Sequence, residues 1–484
     1  MGALAAAISK TGENIVPKVA VMIKELIHRG DDYHGIATPN SVLLSKSISE
    51  LRIENLDSNV SLGHNLSRTL SRDHPQPIHC RDFSFIFEGR LFPPSGMPEY
   101  VEVKKKLQFN PKKNARYVIE ELRGSYVFAI ACPDKIISGR DPLGTNPLYY
   151  GTNETTCAIA SECKALWTLG IKNVKPFPPG NIAVVSTHGF SFIPVKKLTR
   201  PSIRSIKMRN ATNQLEKLLL KSTKERVVDL KEIAVAFSGG LDSSVIALLT
   251  KICGVKIHLI SIGVEGYNEI DHAKAAAKAL QLPLHSQTYT IEDVERVLPK
   301  VLWLVEEPNV MKASIALPFF WTAANASKLG YNVLLAGQGS DELFGGYQRY
   351  LQKYAEHGSA VVQEIMYNDT ALSYERNFQR DNQICSFHKV ELRLPFADFE
   401  VAHFSLSLPV HLKIESAQDH LRKRVLRLVA HKLGMPLFIV NKVKKAIQYG
   451  TGVDRVIREI ARKKDLTPLK YIKKVFNEGY GGNE

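Results

Sequence analysis

The run Ser238-Gly239-Gly240-Leu241-Asp242-Ser243-Ser244 follows directly on the apolar stretch Ile233 to Phe237. Apolar residues then recur at helical spacing, at Val245, Ile246, Leu248 and Leu249. Strand, tight turn and helix start together make an anion site, because the N–H groups at a helix N-terminus point outward at whatever lies there. Gly239 and Gly240 let the backbone approach a phosphate closely. Ser238, Ser243 and Ser244 supply hydroxyl donors, and Asp242 offers a carboxylate to a Mg²⁺ ion riding on that phosphate. The loop is short and lacks the Gly-Lys-Ser/Thr of the loop that works on the outer phosphates of nucleoside triphosphates.

A second loop pairs with it. The apolar stretch Val333 to Ala336 ends in Gly337-Gln338-Gly339-Ser340-Asp341-Glu342-Leu343-Phe344-Gly345-Gly346-Tyr347. Ligands of open α/β sheets sit at the carboxyl ends of the strands, so both loops are expected to face one crevice. Asp242 and Asp341 would then share one Mg²⁺, which takes one or two protein carboxylates besides phosphate oxygens.

The first loop resembles the pyrophosphate loop of ATP pyrophosphatases. The chain as a whole resembles class B, glutamine-dependent asparagine synthetases. The resemblance is carried by the two loops, by Ile262-Gly263-Val264-Glu265-Gly266, Glu306-Glu307-Pro308 and Ser314-Ile315-Ala316-Leu317-Pro318, and by Glu391-Leu392-Arg393-Leu394-Pro395-Phe396-Ala397-Asp398. In the first half, His28-Arg29-Gly30-Asp31-Asp32, Gly63-His64, Arg140-Asp141-Pro142-Leu143-Gly144, Pro147-Leu148-Tyr149-Tyr150 and Ala160-Ser161-Glu162 resemble a class II glutamine amidotransferase domain.

The resemblance implies an enzyme that uses ATP and Mg²⁺ to adenylate the side-chain carboxylate of aspartate, releases pyrophosphate, and amidates the adenylate with ammonia. It implies ATP and pyrophosphate contacts from the Ser238–Ser244 loop, from Ile262 and Gly263 beside the adenine, and from Gly337, Gly339 and Ser340. Glu306 and Glu307, just before Pro308, are candidates to hold an adenylate or a substrate amine, with ordinary helix-end acids the equally plain alternative, and Gln338 is expected near the amide-forming centre. The resemblance makes Lys444 the first choice for a catalytic lysine and Lys445 the second, within the basic run Lys442 to Lys445; a solvated basic helix end is the plainer alternative. A homodimer is a further expectation from the resemblance.

Departures from the family pattern concentrate in the first half. The nucleophile there is ordinarily a cysteine at the mature N-terminus, whose α-amine serves as base. This sequence opens Met1-Gly2-Ala3. The amide that lines the oxyanion hole is replaced by Glu88 in Phe87-Glu88-Gly89-Arg90-Leu91, and the acid that grips the glutamine amine is absent from the lysine-rich Val101 to Asn114. The expectation is that the first half does not hydrolyse glutamine. In the second half Gln338 stands where many members carry a glutamate, and glutamine takes up no proton at neutral pH. Two alternatives share these residues: the same ATP chemistry on another carboxylate, or a non-catalytic regulatory protein of inherited fold.

The elements that must position these residues follow from periodicity. Residues 1–195 read as short strands with a few helices, the domain that the resemblance makes an αββα sandwich of the Ntn-hydrolase kind. Residues 196–209 are basic, contain Pro201 and lack periodicity, as a linker does. From residue 210 to 484 helices and strands alternate, the pattern of a doubly wound parallel sheet, and the chain past Tyr350 is mostly helical.

Bulk properties narrow the partners. Apolar residues are 44% of the chain and charged residues 23%, an ordinary globular balance. No stretch approaches the roughly 18 uninterrupted apolar residues of a membrane span, and the opening apolar run has no basic leader. The expected location is the cytoplasm. Six cysteines without a C-x-x-C pair argue against a disulfide scaffold and a structural zinc site. The net charge of +16 is spread over the sequence without an aromatic-rich nucleic-acid module. It reads as solvated surface that also steers anionic small molecules such as ATP and aspartate.

Overall fold

The computed structural model describes residues 2–108, 110–267, 269–444 and 447–480. Two compact units divide the chain: Met1–Leu198 with Ser386–Glu391, and Thr199–Cys385 with Leu392–Glu484.

The first unit is built on a seven-stranded and a six-stranded sheet. Strand Gly2–Ser9 is buried along its length, antiparallel to Thr156–Ala160 on one side and to Val60–Leu66 on the other. Its side chains alternate between two cores, as the period of two requires. Ala3, Ala5 and Ala7 pack with Val19 and Ile23 of helix Val16–Glu25, whereas Leu4, Ala6 and Ile8 meet Ile86, Val127 and Ala129 of the second sheet. The outer face of that sheet, with Phe85 and Phe128, is covered by Val103 and Leu107 of helix Glu99–Leu107 and by Val118 and Ile119 of helix Pro111–Glu121. Helix, sheet, sheet and helix are thus stacked in the αββα order expected.

The second unit holds a five-stranded sheet. Strand Glu232–Ala236 pairs in parallel with Lys256–Val264 and with Val333–Leu335, and Lys256–Val264 pairs in parallel with Leu284–Tyr289. Helices Leu241–Ile252, Glu269–Leu280, Ile291–Val305 and Val310–Lys328 connect these strands, which is the doubly wound pattern. Helix Ile291–Val305 starts at a capping box between Thr290 and Asp293. The next helix begins at Val310, four residues before the apolar periodicity becomes clear, because the Asn309 side chain accepts from Met311 N and Lys312 N. Past Tyr347 the unit is mostly helical, with Gln348–Ala371, Arg424–Lys432, Val453–Lys463 and Pro468–Tyr480 the main elements. Among the described residues no helix is long and apolar enough to cross a membrane.

Candidate active site

Strand Glu232–Ala236 delivers the Ser238 loop, and Gly239 takes a left-handed φ of +66° there. A Cβ on Gly239 would lie 3.0 Å from Ala273 Cα, so the turn needs glycine for both reasons. Ser238 Oγ accepts from Gly240 N at 3.3 Å, and Ser243 Oγ accepts from Ser238 N at the same distance. These short-range bonds hold the loop open as a cradle at the start of helix Leu241–Ile252. A Cβ on Gly337 would approach Asp242 Cβ to 3.0 Å, which shows how closely the second loop lies against the first.

Both loops face one cavity of about 860 Å³. Ser238, Asp242, Ser243, Ile262, Gly337, Gln338, Gly339, Asp341 and Lys444 are on its wall. A small adjoining recess is lined by Ser238, Gly240, Leu241, Asp242 and Ser243 and closed by Lys423, Arg427 and Lys444. Ser340 stands behind the wall and donates its hydroxyl to Asp242 Oδ1 at 2.9 Å. Gly239, Gly263 and Ser244 line neither space, and Ser244 is fully buried. Glu306 and Glu307 are off the wall as well. Glu306 accepts from Gln383 Nε2 at 2.8 Å, and Glu307 pairs with Lys312 and accepts from Asn309 Nδ2 at 3.0 Å. Asn309, Met311 and Lys312, just beyond them, are on the cavity wall. Lys445 lies outside the described residues.

The electrostatic centre is a residue the sequence reading passed over. Lys423 is 1% exposed and its Nζ lies 2.7 Å from both carboxylate oxygens of Asp242, 2.6 Å from Asp341 Oδ1 and 3.2 Å from Ser340 Oγ. Lys444 Nζ lies 3.0 Å from Asp341 Oδ2 and 3.7 Å from Asp242 Oδ2. Burial alone would push Asp341 up; the two ammonium groups outweigh it and hold the carboxyl well below its usual range. Burial would likewise pull Lys444 down, and Asp341 and Asp242 raise it above the usual lysine value. A Cβ on Gly346 would fall 1.9 Å from Asp341 Oδ1 and 2.5 Å from Lys423 Cε, so this glycine makes room for the pair.

Sequence offered one signal for Lys423. Arg422-Lys423-Arg424 opens the helix Arg424–Lys432, where the helix dipole favours acids. A basic cluster in that place is out of keeping with the helix and in keeping with an anion site. The cluster is held by Arg427, whose Nε donates to Arg422 O at 2.7 Å and whose Nη2 donates to Leu421 O and, at 3.1 Å, to Lys442 O.

Gln338 donates Nε2 to Asp381 Oδ2 at 2.6 Å. Asp381 is fully buried; burial raises its carboxyl above the usual value against the neighbouring Arg380 and Gln338. Asp242 and Asp341 present hard oxygen donors from two strand ends, and no cluster of three or more His, Cys, Asp or Glu side chains with metal-binding geometry occurs among the described residues. Two carboxylates with phosphate oxygens completing the shell is the donor set Mg²⁺ accepts, so these residues fit that ion.

In the first unit Glu88 Oε2 lies 3.0 Å from His64 Nε2, and both side chains are buried. Burial would raise the Glu88 carboxyl; nearby positive charge first, and then the His64 hydrogen bond, outweigh it and keep it below the usual value. The side chain is therefore an anion. A Cβ on Gly2 would lie 1.8 Å from Asn65 O, so this position has no room for a side chain. Arg29 Nε donates to Gly2 O at 2.9 Å, and Arg29 and His28 both meet the buried Glu162 carboxylate at 2.9 Å.

With that geometry in place the comparisons are decisive. The family described as Asparagine synthase matches residues 214–361 and 354–476, together more than half of the chain. The chain belongs to the asparagine synthase family. The family described as Glutamine amidotransferase domain matches residues 101–168. A Methanocaldococcus jannaschii protein provisionally named asparagine synthetase (glutamine-hydrolyzing) 1 is 29% identical over 501 residues, covering 91% of this chain and 92% of the relative. Asparagine synthetase B (glutamine-hydrolyzing) of Escherichia coli is 23% identical over 496 residues, covering 93% of this chain and 83% of the relative. As an asparagine synthase family member the chain is an enzyme of the ligase kind, in a family that uses ATP.

Proposed function

We propose that the chain is an AMP-forming ligase that converts aspartate to asparagine with free ammonia. The observation that supports this most is the pair of lysines, Lys423 and Lys444, set on the two acids of the strand-end loops. The Ser238 loop receives the β- and γ-phosphates of ATP at a helix start, where N–H groups and hydroxyls are free to donate. A carboxylate oxygen of aspartate attacks the α-phosphorus, the bond to the β-phosphate oxygen breaks, and pyrophosphate leaves into the recess. Lys423 and Lys444 spread positive charge over the oxygens on which charge develops, in a site already shielded from water. Mg²⁺ held by Asp242 and Asp341 supplies further neutralisation of the pyrophosphate when bound. Ammonia then attacks the acyl carbon, loses a proton, and AMP leaves with its electron pair. Gln338, tied to Asp381, orients without taking that proton.

Free ammonia is preferred to glutamine as the nitrogen source because of Glu88. An ionised carboxylate where an amide should donate repels the oxyanion of a glutaminase intermediate.

The test is pyrophosphate release and asparagine formation from ATP, Mg²⁺ and aspartate, with ammonium or glutamine as nitrogen source. Asparagine with ammonium alone is the expected result. Asparagine with glutamine at the same rate would remove the claim about Glu88. Absence of pyrophosphate with aspartate under either condition would remove the assignment of the acceptor.

A further inference from the structure

Arg422 and Lys423 are consecutive residues in the left-handed region, with φ of +52° and +54°. Non-glycine residues rarely adopt it, and then singly, since the Cβ meets the following carbonyl. Backbone strain of this kind persists where the surroundings enforce it and clusters at functional sites. The enforcing contacts are present. Asp419 Oδ1 accepts from Arg422 N at 2.9 Å and from Leu421 N at 3.1 Å, and Arg427 fixes the Arg422 carbonyl from the other side.

The strain aims two cations differently. Lys423 closes the phosphate recess, whereas Arg422 is absent from that recess and lines the main cavity. Its Nη1 donates to Gln348 Oε1 at 3.1 Å, beside Tyr347 and Arg349 on the same wall. Arg422 is 3% exposed, and its Nε is buried without a hydrogen-bond partner among the described residues. Nearly every donor in a folded protein interior is paired, so an underused guanidinium on a cavity wall points to a ligand. With Nη1 taken by Gln348 and Nε buried, Nη2 is the remaining donor, and a charged N–H of this kind pairs with a carboxylate.

We infer that Arg422 binds the acceptor's second carboxylate, the one that is not adenylated, and so restricts the enzyme to dicarboxylic acceptors. A guanidinium on the reacting carboxylate would tie up the nucleophile; holding the other one turns the reacting group toward the α-phosphorus. For aspartate this is the α-carboxylate. The inference rests on the ligase reading above, but not on aspartate being the acceptor.

The experiment pairs each dicarboxylate with the amine monocarboxylate that lacks only the second carboxylate: aspartate with β-alanine, and glutamate with 4-aminobutyrate. Pyrophosphate release is measured for the full-length protein and for Arg422→Gln and Arg422→Lys, with KM for ATP taken alongside as proof of an intact fold. Losing a hydrogen bond to a charged group is worth about 10- to 150-fold. The expected result is a rise of that size in KM for the dicarboxylate in Arg422→Gln, a smaller rise in Arg422→Lys, no change for the monocarboxylate, and no change in KM for ATP. Retained discrimination between the members of a pair in Arg422→Gln would overturn the inference. So would a matching rise in KM for ATP, which would place Arg422 on a phosphate, and so would a wild-type enzyme that favours the monocarboxylates. Activity on glutamate but not aspartate would end the asparagine reading and leave Arg422 testable on the glutamate pair.

Discussion

The guanidinium of Arg427 holds the carbonyl oxygen of Arg422 at 2.7 Å, and its remaining nitrogens reach Leu421, Val440 and Lys442. One buried side chain therefore ties the segment that carries Lys423 to the segment that carries Lys444. Arg427→Lys keeps the charge and loses the bridge. The expected cost is about 2–4 kcal/mol from carbonyls left unpaired, with kcat falling and KM for ATP rising together. Steady-state kinetics and a denaturant melt of the variant check this. A melt that shifts while the kinetics stay put would show that the bridge serves stability alone.

Lys423→Met is expected to destabilise by about 2–4 kcal/mol, because it strands two carboxylates in a partly desolvated site. Pyrophosphate release should fall by about 10²- to 10³-fold. The Asp341 carboxyl is held well below its usual value, so its contribution is complete above about pH 4 and is lost as pH falls through the lower folded value. Melts of variant and wild type should thus differ most near pH 8 and converge in acid. Gly346→Ala, which drives a methyl into the same pair, should reproduce the loss of activity.

Lys413 is fully buried, and its Nζ has no hydrogen-bond partner among the described residues. Burial pulls its pKa down to about 7. Between about pH 7 and about pH 10 the unfolded chain binds the extra proton, so stability rises with pH across that window. Lys413→Met should stabilise the protein by about 2–4 kcal/mol near pH 7, with the gain narrowing toward pH 10. Urea melts at pH 6.5, 8 and 9.5 measure it; a gain independent of pH would mean that burial does not depress the Lys413 pKa.

Gln338→Glu places an acceptor where an amide N–H now donates a hydrogen bond to Asp381. Two carboxylates in contact share one proton, so the variant should melt lower than wild type at pH 8 and nearly with it at pH 5. Thermal melts at the two pH values decide it, and a loss equal at both would place the new carboxylate away from Asp381.

The local structure of the second unit was legible wherever short stretches set it. A strand, two glycines and a run of hydroxyls announce a strand–turn–helix loop without help from the rest of the chain, and Lys444 lies on the cavity wall beside it. Lys423 was not legible as a site residue, because its meaning comes from an acid 181 positions earlier and from two residues held in an unusual backbone conformation. The strand Gly2–Ser9 escaped for another reason. Alanines have little intrinsic preference for strands, and they are used there because two cores close in on both faces. Glu306 and Glu307 looked like substrate ligands by position, yet their side chains are engaged with Gln383, Lys312 and Asn309.

Asp242 and Asp341 carry two negative charges, and Lys423 and Lys444 return two positive ones at contact distance. The quartet is neutral on its own account. Its shape consequently does not depend on a divalent ion, and on the ligase reading proposed above nucleotide arrival is an exchange of partners in which the lysines trade carboxylates for phosphates. A chelator should therefore silence turnover while leaving the melting temperature where it was.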